Sequence, residues 1–384
     1  MYLDYNATSP VRPEVRTALE PVLGELFGNP SSLHAYGQRG RAAVESVRTQ
    51  LLRLLGDPKG QIVFTSGGTE ADNLALKGIA RAMRGKGDHL IFSSIEHPAV
   101  IEAARVLRGE GFRLTELPVD GQGIVDLQAL EQGITPKTVL ISVMHANNEV
   151  GTIQPIEEVG RIARSRGVLF HTDAVQSFGK LPLNLQALPA DLVSISGHKL
   201  GGVKGAGALY LRQGTRIEPL LHGGPHERNL RAGTEPVPAI VALGAAANAT
   251  FRERENGGLD RIRALRNRLE EGLRERIPDL ELNGHPVQRL AGTVNLAFLG
   301  CDGETLLMGL DLVGICVSTG SACASGSTEP SHVLSAMKLP PERIRGSIRF
   351  SLGWATTERE IEEALERIPA VVERVRKNRV GNRG

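Results

Sequence analysis

The sequence has little net charge and no long hydrophobic run, and both absences narrow what the protein can be. Its 384 residues contain 45 lysines and arginines against 43 aspartates and glutamates, a net charge of +2. A nearly neutral chain gives no reason to expect a nucleic acid or a membrane surface as partner. No apolar run approaches the roughly 20 residues that are needed to cross a bilayer.

Cysteine is also scarce. Cys301, Cys316 and Cys323 form no Cys-x-x-Cys pair and no His/Cys spacing typical of zinc, so no metal site is expected. A sparse, odd-numbered set suits a reducing compartment and leaves one thiol available for chemistry. Residues 1–6 lack the basic and apolar regions of a secretory signal, and we expect a cytoplasmic location.

Short apolar runs alternate with helical patterns over the first half of the chain. Such runs, which are typical of buried strands, occur at 62–64, 90–92, 139–143, 168–170 and 192–195. This alternation predicts an α/β fold with a mainly parallel sheet, whose ligands lie at the carboxyl ends of the strands. The charged helical stretch at 236–276 contains a domain boundary. Beyond it, strands at 293–298 and 348–350 and a helix at 358–376 predict a smaller α+β domain.

Three polar features follow predicted strands. Lys199 lies in a glycine-rich turn, where a desolvated amine can lose its proton and form an imine. Asp173 follows the strand at 168–170, where a carboxylate can keep a pyridine nitrogen protonated. Gly68 and Thr69 belong to a Gly-Gly-Thr segment that follows another strand and opens a helix, whose free N–H groups can bind phosphate.

Each feature alone has an ordinary alternative. Most lysines are solvated, an aspartate after a strand is commonly an N-cap, and Thr-Glu commonly caps a helix. Together, a phosphate cradle, an acid for a pyridine nitrogen and an imine-forming lysine describe a site for pyridoxal 5′-phosphate (PLP). The sequence therefore predicts a PLP enzyme that holds its cofactor as a Schiff base on Lys199.

The ordered motifs resemble those of the cysteine desulfurases, class V members of the aspartate-aminotransferase-type PLP enzymes of fold type I. The similarity runs over nearly the whole chain, in segments 4–8, 28–34, 96–97, 147–151, 171–176, 196–199, 231–234, 320–323 and 349–353. It implies a large PLP-binding domain over 13–250 with a mainly parallel seven-stranded sheet. Residues 1–12 and 251–384 would form the small α+β domain that carries the catalytic cysteine loop.

The resemblance also implies roles around the reacting atoms. His97 would stack on the cofactor ring and assist proton transfer, with a helix-capping histidine as the ordinary alternative. Asn148 would contact the ring or the substrate, although Asn-Asn also suits turns. Gln176 would hydrogen-bond the phenolic oxygen of PLP. Arg349 would pair with the substrate carboxylate, a task suited to a planar guanidinium, with a surface arginine as the alternative.

Further residues would hold the phosphate. The resemblance implies that Ser196 and His198 join Thr69 in this task. Thr234 would reach the phosphate of a neighbouring subunit, which implies a homodimer with active sites near the interface. The sequence departs from the family's usual residues at Val203, Pro225 and His226, which alters the lysine loop and the contact upstream of Thr234.

Cys323 points to the reaction. Its neighbours are glycine, serine and alanine, which predict an exposed, mobile thiol, whereas Cys301 and Cys316 resemble packing cysteines. The resemblance implies that L-cysteine loses its sulfur to Cys323, leaving L-alanine, and that the persulfide then passes to an acceptor. The acceptor could be an iron–sulfur scaffold or a tRNA-thiolation protein. A selenocysteine lyase, a class V aminotransferase and a non-catalytic sulfur-relay scaffold are the alternatives.

Overall fold

A seven-stranded sheet forms the centre of the larger part of the molecule. The computed structural model describes residues 1–319 and 330–381, with side chains through residue 378. The strands are β1 (Gln61–Thr65), β2 (His89–Ser93), β3 (Arg113–Leu117), β4 (Thr138–Ser142), β5 (Leu169–Asp173), β6 (Leu192–Ser196) and β7 (Gly207–Leu211). Their order across the sheet is β1-β7-β6-β5-β4-β2-β3.

Strands β2 to β6 pair in parallel, and β7 runs antiparallel to both of its neighbours. Strand β1 therefore points the same way as β6, and six strands have their carboxyl ends at one edge. The predicted α/β fold with a mainly parallel seven-stranded sheet is confirmed. The apolar runs did not predict β3, an edge strand with the partly exposed sequence Arg-Leu-Thr-Glu-Leu, because it carries no continuous apolar run.

Helices cover both faces of this sheet because its strands alternate the faces to which their apolar side chains point. Val63, Phe92 and Leu140 join one apolar cluster with α3 and α4, whereas Phe64 and Phe170 join another with the remaining helices. The helices of this part are α1 (Pro13–Gly24), α2 (Ala35–Leu54), α3 (Gly68–Ala82), α4 (Pro98–Gly109), α5 (Leu127–Gly133), α6 (Ile156–Ser165) and α7 (Val237–Glu255).

A smaller layer follows α7. It has an antiparallel sheet of order β10-β9-β8, on which α8 and α12 pack through a separate apolar cluster. The elements after α7 are α8 (Gly258–Arg276), β8 (Leu280–Asn283), β9 (Thr293–Phe298), α9 (Gly303–Leu312), α10 (His332–Ala336), α11 (Pro341–Arg345), β10 (Ser347–Ser351) and α12 (Glu358–Gly381). Of these, α10 packs through Val333 and Leu334 in the apolar cluster of the larger part. The last helix, predicted at 358–376, continues to Gly381.

The first twelve residues connect the two sheets. Tyr2 and Asp4 form bridges with Cys316 and Ser351 beside the smaller sheet. The chain then crosses to the larger sheet, where the amide of Arg12 donates to the carbonyl of Gly201 at 2.9 Å. This crossing places the N-terminal segment against the turn that contains Lys199. Within the described part of the chain, no helix is both long and apolar enough to span a membrane.

Candidate active site

The three sequence features meet at the carboxyl edge of the larger sheet. Asp173 and Ser196 are the last residues of the adjacent strands β5 and β6. Gly68 begins α3 directly after β1, and a Cβ at Gly68 would lie 2.7 Å from Val175 and 3.6 Å from the Cβ of Ser196. Since only a glycine fits there, the backbone of the proposed phosphate cradle lies directly against the ends of the two other strands.

Lys199 ends the short 3-10 turn that follows β6. Its Nζ donates to the backbone carbonyls of Asn6 at 2.5 Å and Ala7 at 2.8 Å. The hydroxyl of Ser9 donates to the carbonyl of Lys199 at 3.1 Å. The N-terminal segment thus orients the lysine. Segment 4–8 carried part of the resemblance, but no role was predicted for Asn6, which the structure places at the centre of the site.

Asp173 faces the same space. Its Oδ1 accepts from the amide of Val175 at 2.8 Å. Burial raises the pKa of this carboxyl to about 6, while the bond from Val175 and the positive charge of Lys199 act in the opposite direction. At neutral pH the group is therefore mainly a carboxylate, which is the form needed to accept a hydrogen bond from a pyridinium nitrogen and keep that nitrogen protonated.

Two buried polar atoms near Lys199 have no hydrogen-bond partner among the described residues. They are Oε1 of Gln176 and Oγ of Ser196, whereas Nε2 of Gln176 donates to the carbonyl of Asn6 at 3.0 Å. Buried polar atoms in folded proteins are nearly always paired, so these atoms indicate a polar group bound beside them. A hydroxyl beside the N-terminus of α3 and an amide near Asp173 fit the phosphate and ring substituents of PLP.

Two histidines flank the lysine as neutral rings. His97 is the N-cap of α4, and its Nδ1 accepts from the amide of Ala99 at 3.1 Å. His198 Nδ1 lies 3.1 Å from Oγ1 of Thr8. Burial, with the charge of Lys199 second, lowers the pKa of each imidazole to about 4. The capping contact of His97 leaves its predicted stacking role untested, since a ring can cap a helix and also present its face.

Arg349 is buried rather than a surface residue, with 2% of its area exposed. Its guanidinium donates to Oδ1 of Asp4 at 2.6 Å and to the carbonyl of Asn148 at 3.0 Å. Its Nε, also buried, has no hydrogen-bond partner in the described part of the chain. Arg349 and the backbone of Asn148 therefore lie together. The guanidinium that is predicted to bind the substrate carboxylate is already paired with the carboxylate of Asp4.

Thr234 is exposed and lies on a loop that is tied to the cradle. Within this loop, Arg231 pairs with Glu70 of α3 at 2.9 Å, and the amide of Gly233 donates to Nδ1 of His226 at 3.2 Å. The unusual residue His226 thus helps to hold the loop. The exposure of Thr234 is compatible with its predicted contact to a neighbouring subunit.

Cys323 lies outside the described residues. Of the other two cysteines, Cys301 is buried as expected, but the prediction that Cys316 packs inside is wrong. Cys316 follows the buried Ile315 in an extended segment, so its side chain points outward, with Sγ 3.8 Å from Oδ1 of Asp311. Periodicity of two in an extended segment, rather than residue type, decides its exposure.

Both described ends of the segment that contains Cys323 are bonded beside the site. Before it, the backbones of Ser318 and Arg349 exchange hydrogen bonds of 3.2 and 2.7 Å. After it, Oγ of Ser331 donates to the buried carboxylate of Glu149 at 2.6 Å, and His332 lies 2.9 Å from the carbonyl of Glu96. Glu149 and Glu96 belonged to segments that carried the resemblance, but their roles as anchors were not predicted.

The sequence matches the class V aminotransferase family over residues 1–364, and the chain therefore belongs to this family of PLP-dependent enzymes. Three known proteins illustrate the relationship. Over 376 residues, the chain is 50% identical to the cysteine desulfurase IscS of Methanosarcina thermophila, covering 98% of this chain and 93% of that protein. Identity to cysteine desulfurase IscS of Dictyoglomus turgidum is 47%, covering 98% and 95% of the two chains.

A solved NifS-like protein superposes with a TM-score of 0.91 at 36% identity, covering 97% of this chain and 99% of the other. The resemblance to the cysteine desulfurases is thus confirmed along nearly the entire chain. The use of PLP as cofactor follows from the family, and the buried groups around Lys199 fit it.

Proposed function

We propose that the protein is a PLP-dependent cysteine desulfurase that converts L-cysteine to L-alanine and retains the sulfur as a persulfide on Cys323. The observation that carries this proposal is the meeting of Lys199, Asp173 and the Gly68 cradle at one sheet edge, in a chain whose relatives are cysteine desulfurases. Cys323 supplies the thiol that this reaction requires and that an aminotransferase does not.

Each site residue has a separate role in the proposed reaction. PLP, when bound, supplies an electron sink for the carbanion at the substrate's Cα. Lys199 Nζ takes the Cα proton, and Asp173 holds the proton on the pyridine nitrogen. Arg349 binds the substrate carboxylate. The Cys323 thiolate attacks the substrate sulfur and the C–S bond breaks, so that cysteine and a thiol become alanine and a persulfide with all atoms conserved.

The residues at the carboxyl ends of β1 and β6 bind the phosphate. The backbone amides at the start of α3, with Gly68 and Thr69, provide donors, and the buried hydroxyl of Ser196 provides another. His198, a neutral ring beside Thr8, adds a further polar contact. The amide of Gln176 would bind the ring oxygen of PLP, and His97 would stack on the ring.

The direct test replaces Cys323 with serine. We expect the Cys323→Ser protein to keep the visible absorbance of bound PLP and to lose production of alanine and sulfide from L-cysteine with a reductant. The matched control is Cys316→Ser, an exposed thiol outside the site, which should retain activity. Full activity in Cys323→Ser would exclude this cysteine as the nucleophile.

A second variant separates cofactor attachment from sulfur transfer. In Lys199→Ala the borohydride-reducible link to PLP should be absent. Glutamate formation from a keto acid by the native protein would favour an aminotransferase, and turnover of selenocysteine with little turnover of cysteine would favour a selenocysteine lyase. A colourless protein that binds no PLP would favour a sulfur-relay scaffold.

Further parts of the proposal concern assembly. Thr234 contacts the phosphate in a second subunit, so the protein acts as a homodimer, and its persulfide serves an iron–sulfur scaffold or a tRNA-thiolation protein in the cytoplasm. The exposure of Thr234 on a loop tied to Glu70 supports this. Light scattering should give twice the chain mass, and Thr234→Ala should release PLP more readily.

The domain boundaries form part of the same proposal. Residues 13–250 would make up the large domain, and residues 1–12 with 251–384 the small one. In support, Leu3 packs in the same apolar cluster as most buried apolar residues from Ile262 to Val375, apart from the clusters around the seven-stranded sheet. Val333 and Leu334 of α10 are exceptions, because they pack in a cluster of the larger sheet. Limited proteolysis should then cut first near residue 256, between α7 and α8.

A further inference from the structure

A second lysine lies beside Lys199. Lys180 ends the turn that follows β5, and its side chain lines a cavity that Lys199 also lines. Gly179, with φ of +76°, fixes this turn against α7, because a Cβ there would meet the side chain of Thr250 at 2.8 Å. The backbone that carries Lys180 is therefore held in place, and its side chain is directed toward the catalytic lysine.

The structure gives Lys180 no ion pair or side-chain hydrogen bond within the described ranges. Glu253, whose negative charge acts on Lys180, is already paired with Arg12 at 2.5 Å. Arg12 in turn donates to the carbonyl of Leu200 and lies 5.2 Å from the ring centre of Trp354. Burial lowers the pKa of Lys180 to about 8, with the charges of Lys199 and Arg12 as further causes.

The cavity is too small for an amino-acid substrate together with its cofactor. Its volume is about 40 Å³, which suits roughly three water molecules. Such water can hydrate the ammonium of Lys180 without neutralising it. The cavity thus leaves a positive charge on Lys180 in the same small space that Lys199 lines.

We propose that Lys180 is a positioning residue whose charge disfavours a second positive charge on Nζ of Lys199 and so keeps that nitrogen uncharged. The proposal rests on the proposed function, in which Lys199 must act as an amine. The charge of Lys180 opposes the effect of the carbonyls of Asn6 and Ala7, which accept hydrogen bonds from Nζ of Lys199 and favour its ammonium form. A buried lysine beside another cationic group is a known arrangement for producing a reactive amine.

Other charged or titratable groups face Lys199 or Lys180 and must be weighed. They are Asp173 of β5, His97 of α4, His198 of the 3-10 turn, Lys204 after that turn, Arg12 of the N-terminal segment and Glu253 of α7. The two histidines are neutral near pH 7, and Arg12 and Glu253 neutralise each other. Asp173 favours a charged Lys199, so Lys180 is the close cation that remains to oppose it.

The test measures the protonation of Lys199 directly. The full chain, freed of cofactor, is labelled with acetic anhydride between pH 6 and pH 10, and peptide mass spectrometry gives the labelling rate of Lys199. In Lys180→Met the midpoint of this profile should rise by about one pH unit, from Coulomb's law for charges on the order of 10 Å apart at an effective dielectric of about 20. In Lys180→Arg, which keeps the charge, the midpoint should stay at the native value or below it.

Controls separate this role from a structural one. Lys204→Met removes an exposed lysine near the same turn and should leave the midpoint unchanged, because solvent screens its charge. Lys180→Met should melt no lower than the native protein, since it replaces a largely enclosed charge, which has no ion pair among the described residues, with a side chain of similar length. A lower melting temperature without a midpoint shift would mean that Lys180 serves packing only.

The loaded enzyme gives a second measurement. The pH midpoint of the visible absorbance of bound PLP should rise in Lys180→Met, and the difference from the native protein should fade above about pH 9, where Lys180 itself has lost its charge. An unchanged labelling midpoint would overturn the proposal even if desulfurase activity is confirmed. Conversely, absent desulfurase activity with a shifted midpoint would overturn the proposed function alone.

Discussion

His171 provides a sharp test of the electrostatics beneath the active site. The residue is fully buried in β5, with Nδ1 2.9 Å from Oγ of Ser142 and Nε2 2.9 Å from Oγ of Ser194. Asp72 lies close by, with Oδ1 3.7 Å from Nε2. Burial lowers the pKa of His171 to about 3, so its ring is neutral at neutral pH, and burial raises the pKa of Asp72 well above its usual range.

The consequence is a pH-dependent loss of stability. In the unfolded chain a histidine takes up a proton near pH 6.5, whereas in the folded protein His171 does so only near pH 3. The contribution of His171 to the free energy of unfolding is therefore fully present above pH 6.5 and is lost as the pH falls toward 3. Between pH 7 and pH 5 the free energy of unfolding should fall by about 2 kcal/mol on account of this residue.

The variant His171→Asn removes the titrating group. It should be less stable than the native protein at pH 7, because a ring is lost from the core. The difference in the free energy of unfolding between the native protein and this variant should be about 2 kcal/mol smaller at pH 5 than at pH 7. For a chain of this length, that change corresponds to roughly 2–3 °C in melting temperature. Melting curves of both proteins at the two pH values measure this change.

The exposed His222 is the matched control, and His222→Asn should melt like the native protein at both pH values. A gap for His171→Asn that stays constant between pH 7 and pH 5 would refute the reasoning. It would mean that His171 takes up its proton over the same pH range in the folded and the unfolded protein.

Three further predictions follow from single contacts. Arg48→Met should lower the free energy of unfolding by about 3–5 kcal/mol, because Glu227, paired with Arg48 at 2.8 Å, would remain as a buried charge; an unchanged denaturation midpoint would contradict this. Gly207→Ala should weaken PLP retention on dialysis, since its Cβ would lie 2.6 Å from the backbone of Gly67, and native retention would show that the cradle tolerates a shift. Arg349→Lys should raise KM for L-cysteine at least about tenfold, because a lysine cannot form the paired contacts of a guanidinium; an unchanged KM would assign the substrate carboxylate to another residue.

The buried strands and the chemistry of their ends were predictable because both are local. Continuous apolar runs identified β2, β4 and β6, and β9 was predicted with its bounds as observed, since burial on both faces selects such runs. Lys199 and Asp173 followed predicted strands and therefore reached the same sheet edge. The strands β3 and β7 were not predicted, although β7 is buried along its whole length. The exposure of Cys316 was not recognised because it does not follow from residue type alone.

The partners of the site residues could not be predicted from local pattern. The carbonyl of Asn6 accepts a hydrogen bond from Lys199, which is 193 positions away in the sequence. Asp4 accepts one from Arg349, which is 345 positions away. Neither contact has a periodic signal, because a backbone carbonyl is the same at every position. The sequence by itself determined which groups are available for chemistry and at which strand ends they stand. Only the tertiary structure decided that Arg349 is buried against a carboxylate and that Lys180 lines the same cavity as Lys199 without an ion pair to any described residue, because burial and distance set the strength of each interaction.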